Sequence, residues 1–146
     1  MCVSIYLAGD QPWPDIPRDE AHPAFHTLEA VVYPEEPFRA HFTRSHLISV
    51  GCHHGCGCGF QSSEEYDQDG NLVETDLDAF ETRRRLAEYL SIALQSQPLV
   101  EVLVCCSGDE TFPVKTRRRA TPNDFASDPT IYNLGQRIDV VADSPL

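Results

Sequence analysis

Residues 99–106, Leu-Val-Glu-Val-Leu-Val-Cys-Cys, make an almost unbroken apolar run. A strand of that composition has no side to turn to water and must be covered on both faces. It follows Pro98, which ends a helix predicted from about Ala79 to Gln97. Leu86, Leu90, Ala93 and Leu94 recur there at helical spacing, and Asp78 with Glu81 has the pattern of a capping box. A helix that runs straight into an interior strand restricts the chain to layered α and β structure. Further strands are predicted over Cys2–Ala8, Phe25–Tyr33, Ser45–Gly51, Val114–Ala120 and Tyr132–Val141, with a short helix over Glu35–Thr43 and a turn or helix start at Thr121-Pro-Asn-Asp. The proline-rich segment Gln11–Pro17 reads as a surface loop. The expected fold is therefore α+β: one domain over residues 1–146, a mixed or antiparallel sheet with one long helix and one or two short helices packed on it. The long helix would connect neighbouring strands and set Ser45–Gly51 beside Leu99–Cys106.

A length of 146 residues suits one hydrophobic core. Eleven Lys and Arg against 23 Asp and Glu leave a net charge of −12, which argues against nonspecific binding to nucleic acid or anionic membrane and favours a basic partner. Seven of the eleven cations fall in Arg83–Arg85 and Lys115–Arg119, and each run reads as a solvated face pairing with nearby acids. The opening Met1–Gly9 has neither the positive flank of a signal peptide nor the length of a membrane span. A cytoplasmic location is expected, where six cysteines would serve as metal ligands, redox groups or buried thiols rather than structural disulfides.

Gly51-Cys-His-His-Gly-Cys-Gly-Cys-Gly packs three thiols, two imidazoles and four glycines into nine residues. The glycines let the backbone pass close to a ligand or another strand. In extended geometry Cys56 and Cys58 share a side, about 6.5 Å apart at Cα. Zinc or copper(I) would suit such thiolates, with Cys56, Cys58 and Cys105 as core ligands and His53, His54 or Cys52 completing the set. The same residues could also be small buried hydrophobes and surface imidazoles, or a turn of purely structural purpose. Cys52, Cys56 and Cys58 form CxxxCxC, one residue short of the spacing that holds the cluster of radical S-adenosylmethionine enzymes, and the chain is too short for their barrel.

His54-Gly-Cys-Gly-Cys-Gly-Phe, together with Ile5-Tyr-Leu-Ala-Gly-Asp, Pro23-Ala-Phe-His and Val100-Glu-Val-Leu-Val-Cys-Cys-Ser-Gly-Asp-Glu, resembles a family of small bacterial proteins with an HxGCGCGF-type motif. The matches span Ile5 to Glu110. The resemblance implies no activity, but it implies that Cys56, Cys58 and Cys105 belong to the shared pattern, whereas Cys106 and Ser107 depart from an aromatic-plus-acid pair.

Other segments carry weaker signals. Glu65–Asp76 imitates a calcium loop in the order of its acids and glycine, but its end positions are exchanged and no entering helix precedes it, so a polar turn is the better reading. Asp109 and Glu110 lie just beyond a strand end and read as a solvated turn. The expected function is a metal-binding protein. The alternatives are an acidic module such as an immunity protein that neutralises a basic toxin, and a thiol-dependent redox enzyme.

Overall fold

A computed structural model describes residues 2–19, 21, 24–32, 34–52, 57–61, 64–66, 68–70, 72–75 and 77–143 of the chain. Its main sheet contains β1 (Val3–Gly9), β2 (His26–Val31), β3 (His46–Gly51), β6 (Val100–Cys106), β7 (Thr116–Ala120) and β8 (Gln136–Val140). The order is β2-β3-β1-β6-β8-β7, and every neighbouring pair is antiparallel except β7 with β8. A separate two-stranded hairpin joins β4 (Glu64–Tyr66) and β5 (Leu72–Thr75). The helices are α1 (Glu36–Arg39), α2 (Leu77–Ala93) and α3 (Pro122–Ser127). The mixed-sheet α+β expectation thus holds, with one long helix and two short ones among the described residues.

Alternation along β1 and β6 divides the molecule into two cores. Val3, Ile5 and Leu7 of β1, with Val100, Val102 and Val104 of β6, face α2 and α3, where Leu86, Leu90 and Phe125 are fully buried. Each of those two leucines contributes about 2 kcal/mol through burial. Leu103 and Cys105 point the other way, into a smaller core with Ala8, Phe38, Phe42 and Leu47. The apolar run at 99–106 is covered on both faces, as its composition requires.

Two sequence expectations are corrected. Ser45–Gly51 and Leu99–Cys106 are not adjacent, because β1 pairs with both and lies between them. β1 is apolar enough on both faces to occupy the centre, so the connection through α2 passes over one intervening strand. Secondly, α2 begins at Leu77, which puts Asp78 inside the first turn, and the Glu81 carboxylate binds Arg84 and Arg85 rather than a cap. Glu65–Asp76, read as a polar turn, overlaps the β4–β5 hairpin. Thr121 does begin a helix, and its backbone N–H donates to the Asp124 carboxylate at 2.9 Å. Among the described residues no helix is long and apolar enough to cross a membrane.

The second core contains a fully buried carboxylate, Glu101 of β6. It accepts the backbone N–H groups of Thr43 and Arg44, each at 2.8 Å, and the Thr43 hydroxyl at 3.0 Å. Arg137 of β8 completes the network by donating to Glu101, to Asp139 and to the His41 carbonyl. A buried charge is tolerated only when paired and hydrogen-bonded in this way. The network attaches the segment after α1 to the sheet. Removing the guanidinium while keeping side-chain volume, as in Arg137→Met, strands the carboxylate and is expected to cost about 3 kcal/mol. Denaturant unfolding measures this, and a loss below about 1 kcal/mol would contradict the assigned role.

Candidate functional site

β3 ends at Gly51, and its ladder with β1 runs no further than the pair of Val50 with Ile5. Val3 lies beyond that ladder, and its backbone groups are satisfied by the cysteine loop instead. The Gly57 N–H donates to the Val3 carbonyl at 2.9 Å, and the Val3 N–H donates to the Cys58 sulfur at 3.3 Å. Residues Cys58–Phe60 then form a single 3-10 turn. A Cβ on Gly57 would stand 2.7 Å from the Val3 carbonyl oxygen, so only glycine permits this approach.

The turn brings a second sulfur into place. The Gly59 N–H donates to Cys52 Sγ at 3.0 Å, and Cys52 is fully buried in the larger core. Cys58 packs partly buried against the same core. Cys52 and Cys58, six positions apart in sequence, thus lie at one turn, and each sulfur accepts a backbone N–H. Val3, which supports Cys58, belongs to the same core.

Cys105 is placed elsewhere. Its side chain lies in the second core, across the sheet from Cys52 and Cys58. The next residue, Cys106, pairs with Val3 and by alternation is on the face of the turn, one strand removed from it. A one-residue step along β6 reverses the face, and Cys105 is the residue that points away. His53, His54 and Cys56 lie outside the described residues. Among the described residues no group of three or more His, Cys, Asp or Glu side chains is arranged to hold a metal ion.

Arg83 also belongs to this region. The arginine run was expected to be a solvated face, and for Arg84 and Arg85 it is, with ion pairs to Glu81 at 2.8 and 2.9 Å. Arg83 instead turns inward and is 6 % exposed. Its Nε donates to the Phe60 carbonyl, the last residue of the turn, at 2.7 Å, and its guanidinium stands over the Tyr132 ring, 5.6 Å from the centroid. The sequence held a signal for this: Arg83 precedes Leu86 by three positions and Leu90 by seven, which puts it on the apolar stripe of α2.

Two other regions gather polar groups. Glu110 accepts the Tyr6 hydroxyl at 2.8 Å and the Gly108 N–H at 2.9 Å, so its carboxylate shapes the turn after β6. A groove of about 920 Å³ at the β2–β3 end of the sheet is lined by Arg39, Arg44, Asp15 and Glu36 among others, and Arg44 pairs with Asp10 at 3.3 Å. Neither gathers the thiols. Compared with protein-family models, curated proteins and solved structures, the chain finds no match.

The Cys105 thiol has a measurable consequence of its own. Burial, followed by the charges of Glu110 and Asp109, pushes it from an ordinary 9.0 up to about 12. The folded protein therefore keeps this proton over a range in which the unfolded chain releases it. The associated stability is intact below pH 9.0 and declines as pH rises towards about 12. Denaturant unfolding across that range is expected to show a shallower decline for Cys105→Ala than for the parent protein. Parallel declines would contradict the assignment.

Proposed function

We propose that the Cys52–Cys58 turn binds a thiophilic metal ion, zinc or copper(I), in the cytoplasm, where thiols stay reduced. The observation that carries this reading is the pair of backbone N–H groups directed at the two sulfurs, from Gly59 to Cys52 and from Val3 to Cys58. A neutral thiol is a weak acceptor, whereas a thiolate gains from each donor it receives. Cysteines acting only as small apolar fillers need no such donors. Hydrogen bonds of this kind orient and tune metal-bound sulfur.

Cys52 and Cys58 are the two ligands this geometry favours. Cys56, His53 and His54 are chemically suited to complete the set. Cys105 is left out of it because the sheet stands between that thiol and the turn.

Elemental analysis of protein purified without chelator or histidine tag tests the reading. Near-stoichiometric zinc or copper is expected in the parent protein and is expected to be lost in Cys52→Ser and Cys58→Ser, while Cys105→Ser retains it. Fully folded protein that carries no metal and takes none up on reconstitution would refute the proposal. Thermal melts with and without chelator then separate a structural ion, whose removal unfolds the domain, from a handled one, whose loss leaves a folded apo form.

A further inference from the structure

We infer that Arg83 tunes the cysteine turn towards a monovalent soft cation, copper(I), by supplying the one positive charge that a copper(I) dithiolate needs beside it. This rests on the thiophilic-metal reading above. The starting point is a charge that the described residues do not balance. Arg83 is more than nine-tenths buried, and no carboxylate among the described residues lies within 4.0 Å of its guanidinium. Its Nε is satisfied by Phe60, but its Nη2 is buried without a hydrogen-bond partner. The Tyr132 ring beneath the guanidinium supplies only a partial compensation, that of a cation–π contact. A cation in this position favours an anion close by.

The turn that Arg83 holds through Phe60 carries two sulfurs that can supply that anion. Phe60, which Arg83 holds, directly follows Gly59, the donor to Cys52, and stands two residues after Cys58. Two thiolates on a copper(I) ion leave one net negative charge, equal and opposite to the guanidinium. The same two thiolates on a zinc ion whose remaining ligands are neutral leave none, and Arg83 would then remain uncompensated. Copper(I) also accepts two sulfur ligands without demanding a full tetrahedron. Arg83 touches the turn through Phe60 and is therefore a positioning and charge-balancing residue rather than a ligand.

The test is anaerobic competition of the whole protein against a copper(I) chelator and, separately, against a zinc chelator, for the parent protein, Arg83→Gln and Arg83→Lys. Arg83→Gln keeps a donor for the Phe60 carbonyl and loses the charge; Arg83→Lys keeps the charge. The expected result is copper(I) affinity about tenfold or more weaker in Arg83→Gln, zinc affinity unchanged, and copper(I) affinity largely restored in Arg83→Lys. A purely structural role would weaken both metals together, so an equal loss for both, or no loss for either, overturns the inference. If Arg83→Gln does not fold, Arg83→Lys decides: retained copper(I) preference supports the charge role, and lost preference overturns it. Failure of the parent protein to bind either metal would instead overturn the metal reading itself, and this inference with it.

Discussion

A carboxylate buried in the middle of the sheet holds the second layer of this fold in place. β1 and β6 are apolar on both faces, so the sheet cannot leave either side to water. The long helix covers one face through ordinary hydrophobic packing. The other face receives a four-residue helix and the segment that follows it, with Val31 and Val114 packed against the same core. Glu101 anchors that segment by gathering the backbone N–H groups of Thr43 and Arg44, while Arg137 neutralises it and reaches the His41 carbonyl. The apolar cover from Phe38 and Phe42 then closes over a fixed polar anchor.

The same sheet determines where the cysteines go. β3 is shorter than β1 at one end, and Val3 needs partners for its N–H and carbonyl in a buried setting. The loop after β3 folds back to supply them. One partner is the Gly57 N–H, as any strand would offer, and the other is a sulfur. The substitution of Cys58 Sγ for a carbonyl oxygen converts a strand end into a thiol site. Gly57 is required by the close approach to Val3, and Cys52 is brought in by the Gly59 N–H. The inward Arg83 closes the turn from the helix side.

Much of this was legible in the sequence. Apolar alternation and the proline stop placed the main strands and the long helix to within a few residues, because burial on one or two faces dictates those patterns. Strand order was not legible, since adjacency depends on which strands are covered on both sides, and that is a tertiary fact. The face that Cys105 takes was not legible for a related reason. Successive residues in a strand face opposite ways, but which face the cysteine loop covers is a tertiary fact. Glu101 and Arg83 could have been singled out, the first as the charged residue within an apolar run, the second as a cation on the apolar stripe of a helix. Both were hidden by reading the segment around them as uniform. The β4–β5 hairpin left little trace, because Glu64–Thr75 is acidic and lacks apolar alternation.

The proposed metal ion, held by two thiolates of one turn, Cys52 and Cys58, is open to direct measurement. X-ray absorption at the edge of whichever metal co-purifies measures the ligands directly. The account predicts sulfur in the first coordination sphere, at about 2.3 Å for zinc, with fewer sulfur ligands in Cys52→Ser and in Cys58→Ser and an unchanged sphere in Cys105→Ser. A sphere made only of nitrogen and oxygen, or one altered by Cys105→Ser and not by the other two, would contradict it.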